Sequence, residues 1–276
     1  MTSAQPLPAE RRPYLVQRTL RLFVIVLSVG FYMLVAPFGY LGFAFLCWWW
    51  RRDPLLRARR MQRCMGVGYR VLHDCLRIFR VADFNHRGAL KELPVGPCII
   101  VANHPTQIDV TAIGASLGGA CTIVKPAVWQ RPLVRPLLVG AGLLEGPGTD
   151  PMSVGRVIED GVQRMRQGMR IFVFPEGSRS PAGQLRPFGR VAFEIACRAG
   201  VPLVSVGIRC QPVWLSHEVP IFRPPHPIPK LRLTVLAIDD PAAVGGDSKV
   251  LRERAEERFR SWIAGAGGAN VPTSAR

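Results

Sequence analysis

The chain has 276 residues, is 48% hydrophobic and carries a formal net charge of +17. That length and apolar content suit one domain with a real core plus an appendage, and the surplus charge points to an anionic partner. Nucleic acid is not indicated, because zinc-finger spacing and interleaved aromatic and basic residues are both missing.

The charge is unevenly placed. Residues 1–80 hold thirteen arginines, no lysine, and only Glu10, Asp53 and Asp74 as acids. These arginines flank Phe23–Trp50, a run of 28 residues without a charge, which favours an anionic membrane as partner. About 20 apolar residues span a bilayer. Here Pro37 and Gly39 interrupt the run and leave two pieces too short to span alone. Short arginine-rich flanks tend to stay cytoplasmic. The expectation is therefore a re-entrant helical hairpin within 23–50, with a single kinked span as the alternative. Trp48, Trp49 and Trp50 suit the headgroup boundary. Residues 54–82 mix arginine with apolar residues at helical intervals. They read equally as an amphipathic helix on anionic lipid and as a helix packed on the next domain. Residues 1–82 form the expected anchor. Seven isolated cysteines with no CxxC pair imply a reducing compartment. Together these features place the protein at the inner (cytoplasmic) membrane with its second domain facing the cytoplasm.

From residue 83 to 264 the pattern alternates. Strands are expected at 98–103, 121–124, 170–174, 201–208 and 231–238, and helices at 106–118, 152–167, 188–199 and 248–264. That order predicts an α/β domain with a mostly parallel sheet flanked by helices. Residues 223–230, RPPHPIPK, read as a surface loop, and 265–276 as a disordered tail.

Two polar stretches stand at strand ends. In NHPTQID, Thr106 and Asp109 match a helix-opening capping box. The same spacing lets His104, in the turn, meet Asp109 in the first helical turn behind it. A histidine so held can act as a general base near neutral pH, its carboxylate fixing the tautomer. In FPEGSRS, Glu176 and Arg179 lie at the carboxyl end of a strand, where open α/β sheets place ligands. An arginine there suits a phosphate. GASLG (Gly114–Gly118) matches the G-x-S-x-G of hydrolases in form only, since Ser116 falls late in the expected helix. Its small residues suit close helix packing better. His73, His86, His217 and His226 lack metal-ligand spacing.

NHPTQID, FPEGSRS and VPLVSV (Val201–Val206) occur in that order, and together they resemble the glycerolipid acyltransferase family, which includes the 1-acylglycerol-3-phosphate acyltransferases. The resemblance covers roughly residues 83–240. It implies His104 as base and Asp109 as the group that orients it. It also implies an acceptor site built from Glu176, Gly177, Ser178 and Arg179, with Lys125 where the family often has a lysine. Of the basic block after FPEGSRS, only Arg190 is kept as a cation. The second block, GLLEGPGTDPM (142–152), has no arginine where the family has one. The implied reaction moves a fatty acyl group from an acyl-carrier-protein or coenzyme A thioester to a lysophospholipid hydroxyl, with no bound cofactor and no metal. The acceptor favoured is 1-acyl-glycerol-3-phosphate, giving phosphatidic acid. The missing arginine leaves lyso-ornithine lipids and polyene or pigment lipids open, and phospholipid transacylation shares the same His/Asp chemistry. A non-enzymatic basic membrane adaptor leaves the three ordered blocks unexplained.

Overall fold

A computed structural model describes residues 12–181, 183–216 and 218–267. Two long helices come first, α1 (Arg12–Trp49) and α2 (Pro54–Ile78). The α/β part follows: β1 (Asp83–Phe84), β2 (Ile99–Ala102), α3 (Asp109–Leu117), β3 (Cys121–Val124), α4 (Pro126–Trp129), α5 (Arg135–Gly140), β4 (Leu144–Glu145), α6 (Pro151–Arg166), β5 (Ile171–Val173), α7 (Val191–Ala199), β6 (Leu203–Gln211), β7 (Lys230–Asp239) and α8 (Ser248–Gly267).

The strands form one sheet in the order β1-β7-β6-β2-β5-β3-β4, and every neighbouring pair is parallel except β6 with β7. β2 sits in the middle and is buried on both faces. Ile99 and Val101 pack in one core with Phe193, Ile195 and Phe259, while Ile100 and Ala102 pack in the other with Ile113, Val204 and Trp214. A continuous apolar run is what a parallel strand covered on both sides requires. The fold class expected from the alternation is the one observed.

Local chemistry sets the helix ends. α2 opens on Asp53, which accepts the Leu56 N–H at 2.9 Å, and α6 opens on Asp150, which accepts the Ser153 N–H at 2.8 Å; each has proline as its first helical residue. α3 and α7 stop at Gly118 and Gly200, both left-handed. The helix expected from 106 begins at Asp109, because residues 103–108 form a turn. The one expected from 188 begins at Val191, because Phe188 is buried in the core. β1, β4, α4 and α5 are too short to carry a periodic signal.

The N-terminal region differs from expectation in one respect. α1 runs through Pro37 without a break, so the re-entrant hairpin is not observed. An interior proline costs one ladder bond and about 3 kcal/mol, and long helical arms on both sides carry the structure across it. Among the described residues no helix is long and apolar enough to cross a membrane. α1 packs Ile25 into one core and sets Phe43, Leu46 and Cys47 against the other. Its exposed side carries Phe23, Leu27, Leu34, Phe38, Leu41, Phe45 and Trp48, a row at helical spacing.

α2 packs on the α/β domain, the second of its two expected roles. Gly66 lies so close to the α3 terminus that a Cβ there would come within 2.7 Å of the Gly118 carbonyl carbon, and a Cβ on Gly114 would meet the Tyr69 ring at 2.6 Å. Arg70 Nε donates to the Ala115 carbonyl at 2.9 Å, and Gln62 Nε2 to that of Ala141 at 2.9 Å. The tail expected from 265 is helical as far as Gly267, and the rest of it lies outside the described residues.

Candidate active site

β2 and β5 are adjacent and parallel, so their carboxyl ends meet at one edge of the sheet. α3, which follows β2, packs in one core, and α7, which follows β5, packs in the other. Chains leaving to opposite faces open a crevice at that edge, and both sequence blocks sit there.

Asn103 ends β2 and fastens it. Its side-chain amide donates to the Ile208 carbonyl at 2.9 Å and accepts the Ile208 N–H at 2.7 Å, continuing the ladder to β6 by one residue. The chain then turns through His104 and Pro105 into α3. His104 Nδ1 lies 2.8 Å from Asp109 Oδ2. The same oxygen accepts the Thr106 N–H at 2.7 Å, and Oδ1 accepts the Thr106 hydroxyl. The capping box and the histidine–carboxylate pair are thus one arrangement: Asp109 closes the turn and holds the ring.

Asp109 is fully buried, and burial pushes its carboxyl up from the ordinary value against the pull of its bonds to His104 and Thr106. A carboxylate facing Nδ1 accepts a proton there, which leaves Nε2 with its lone pair. Nε2 has no protein partner among the described residues, and the side chain is 17% exposed. On its other side the imidazole stacks on Phe174, with centroids 4.2 Å apart and planes 20° apart. The ring is therefore fixed in plane, in tautomer and in direction. Such a group can take a proton from a hydroxyl and return it to a leaving group.

FPEGSRS does something its sequence did not reveal. Glu176 is buried and turned inward: Oε1 accepts the His104 N–H at 2.9 Å, and Oε2 accepts the Arg186 N–H at 2.9 Å and the Ser180 hydroxyl. The Ser180 N–H in turn donates to the His104 carbonyl at 3.1 Å. Glu176 thus ties the His104 turn to the β5 turn. Gly177 is exposed at φ +66°, and Ser178 is partly exposed beside it. Arg179 Nη1 reaches the Leu215 carbonyl at 3.4 Å, and that carbonyl also accepts the Gln107 N–H at 2.9 Å. Leu215 is itself at φ +57°, an unusual backbone for leucine. It anchors the β6–β7 connection against both blocks.

The two outlying cations are placed differently. Lys125 caps α4 just past the end of β3, exposed on the same edge of the sheet. Arg190 is drawn away, its Nη2 donating to Ser248 Oγ on α8 at 3.2 Å. Ser116 lies within α3 and bonds back to the Ala112 carbonyl at 2.9 Å, so no nucleophile elbow forms. Sequence reasoning missed Asn103, Phe174 and Leu215. Asn103 and Phe174 open the two blocks, but nothing in residue type foretells a clamp or a ring stack. Among the described residues no group of three histidines, cysteines or acids could hold a metal ion.

Residues 85–209 match the Acyltransferase family model. A chloroplastic 1-acyl-sn-glycerol-3-phosphate acyltransferase of Brassica napus is 32% identical over 120 residues, and 1-acyl-sn-glycerol-3-phosphate acyltransferase alpha of Homo sapiens is 32% identical over 124. The matched segment is similar to the glycerolipid acyltransferase family. The matches cover 42% and 44% of this chain, and span 35% and 43% of those relatives. The fold extends further than the sequence likeness. The crystal structure of PlsC, the 1-acyl-sn-glycerophosphate acyltransferase of Thermotoga maritima, superposes with a TM-score of 0.64 at 21% identity, covering 92% of this chain and all of that one. Of the blocks shared with that family, NHPTQID and FPEGSRS meet at one sheet edge, and the second block has no arginine.

Proposed function

We propose that this chain is a membrane-associated O-acyltransferase that moves a fatty acyl group from a thioester to the hydroxyl of a lysophospholipid. The observation that carries the reading is the His104–Asp109 pair, whose Nε2 is open at the carboxyl ends of β2 and β5. In the proposed step, Nε2 takes the acceptor hydroxyl proton as the oxygen attacks the thioester carbonyl. The tetrahedral intermediate expels the thiolate, and the imidazolium returns the proton to it. Asp109, stripped of water, stabilises that imidazolium more than an exposed carboxylate would. Glu176 holds the His104 backbone, while Arg179 and Lys125 supply positive charge for the acceptor headgroup. The exposed apolar row on α1 supports a seat on the membrane, and arginines near it suit anionic lipid. The names of the relatives support 1-acyl-glycerol-3-phosphate as acceptor and phosphatidic acid as product. The second block, without an arginine, favours comparison with uncharged and zwitterionic lyso-lipids.

The test is lipid mass spectrometry of the purified full chain, given acyl-carrier-protein or coenzyme A thioesters and a panel of lyso-lipids. The expected result is a diacyl product that needs the thioester and disappears with His104→Ala. Product formed from phospholipid alone would mean transacylation. No product with any acceptor, from a folded protein, would refute the proposal.

A further inference from the structure

A cavity of about 430 Å³ lies between the first half of α2 and the edge of the sheet where β2 and β5 begin. This is the opposite edge from His104. Its wall includes Gly96, ahead of β2, and Gly168 and Arg170, ahead of β5. The volume falls within the range of small-ligand clefts, roughly 300–1,000 Å³. The guanidinium-bearing residues Arg59, Arg63 and Arg170 line it, and no acidic residue does.

Two of these arginines also have local work. Arg170 donates from Nε to the Gly96 carbonyl at 3.1 Å and from Nη2 to that of Pro94 at 2.9 Å. Arg59 Nη2 donates to the Gln167 carbonyl at 2.6 Å. These bonds hold the guanidiniums in place without exhausting them, since each carries five N–H donors. Arg63 is exposed and has no hydrogen-bond or ion-pair partner among the described residues. The carboxyl ends of α3 and α6 also reach this edge. A helix terminus supplies about half a negative charge, so the two together offset about one of the three positive charges. The remaining surplus matches a phosphate monoester, which carries about −1.5 to −2 near neutral pH.

We propose that this cavity is a second anion site, separate from the one at His104, which binds a phosphate group carried either by an acidic phospholipid headgroup or by a soluble ester. Arg63 is its least committed cation, and α2 begins just after the tryptophans Trp48 to Trp50.

The experiment uses the full chain with Lys125→Ala and Arg179→Ala, which silences phosphate binding at the proposed acceptor site, and melting curves confirm the fold. Arg63→Glu is compared with Arg60→Glu. The second makes the same charge change on a side chain stacked over Trp50 and absent from the cavity wall. One arm is calorimetric titration with inorganic pyrophosphate; the other is flotation with phosphatidic acid–phosphatidylcholine vesicles. Saturable pyrophosphate binding that falls at least about ten-fold with Arg63→Glu alone, the loss of one charge-assisted contact, supports the site and shows that a soluble anion suffices. No pyrophosphate binding, but vesicle binding weakened more by Arg63→Glu than by Arg60→Glu, supports the site with a lipid headgroup as its source. Equal behaviour of the two variants in both arms, including no binding in either, overturns the proposal. Acyl transfer is not a readout here, so failure of the catalytic reading leaves this test intact.

Discussion

Asp109 Oδ2 accepts from both the imidazole and the Thr106 amide, so altering it disturbs chemistry and local structure together. Asp109→Asn can offer its oxygen to one of those donors and an N–H to the other. The expected results are a fall in kcat of about 10³–10⁴, as for loss of a tautomer-fixing carboxylate, and a loss of about 1–3 kcal/mol of stability from a mispaired buried donor. Initial rates alongside urea unfolding separate the two effects. His104→Ala removes the proposed base but leaves the Thr106 bonds, so it should abolish turnover at a smaller cost in stability. Unimpaired rates in Asp109→Asn would show that the carboxylate only closes the turn. At this scale the sequence was partly readable. Spacing let His104 and Asp109 meet, as they do, while the acceptor roles implied for Glu176 and Arg190 by resemblance gave no hint of the partners these side chains take. Both are charged residues whose partners, the His104 N–H and Ser248, are distant in the chain and close only after folding.

Glycines govern how α2 meets the α/β domain, and two in the same helix behave oppositely. A Cβ on Gly66 would press on the Gly118 backbone, which has no flexible end to move, whereas a Cβ on Gly68 meets nothing within 4 Å. Gly66→Ala should therefore destabilise by about 1–3 kcal/mol through overpacking. Gly68→Ala should stabilise by up to about 1 kcal/mol, because alanine is the better helix former. Chemical denaturation of the pair checks the docking, and equal effects would argue that α2 does not pack there. Chain order and periodicity exposed the larger elements. The start of α3 was harder to place because a capping box marks a turn and a helix in the same residues.

For the whole molecule, pH and the proposed membrane seat involve groups far from His104. His73 is buried between α2 and α3, donating to Thr111 Oγ1 at 3.0 Å. Burial, and then the nearby His86, lower its pKa from 6.5 to about 4, while Asp74 opposes this. Below pH 6.5 the unfolded chain takes up a proton that the folded one refuses until about pH 4, so stability falls as pH drops through that window. By pH 4.5 the loss attributable to His73 should be about 2–3 kcal/mol. His73→Gln keeps a donor for Thr111 and removes the titration. Its urea midpoint should fall less between pH 7 and 4.5 than that of the parent chain; parallel falls would exonerate His73. On the side proposed to meet the membrane, Phe45, Trp48 and Trp49 are exposed and grouped, with the Phe45 ring centroid about 6 Å from each tryptophan's. Replacing Trp48 and Trp49 by alanine should lower vesicle binding several-fold while leaving the melting temperature unchanged, since neither ring is in a core.

What the sequence determined by itself is what depends on short chain distances: an α/β alternation, a charge-free N-terminal run, and a histidine and an aspartate close enough to meet across one turn. Backbone geometry limits those relations whatever the rest of the molecule does. Only the tertiary structure decided that α1 passes through Pro37, that α2 docks on α3, that Glu176 faces inward, and that Phe174 and Leu215 complete the site. Apart from the passage through Pro37, each of these depends on atoms brought together from positions tens to more than a hundred residues apart. No local propensity encodes such meetings. They follow from burying two apolar faces of one sheet at once and from pairing the polar groups of the turns at its edge.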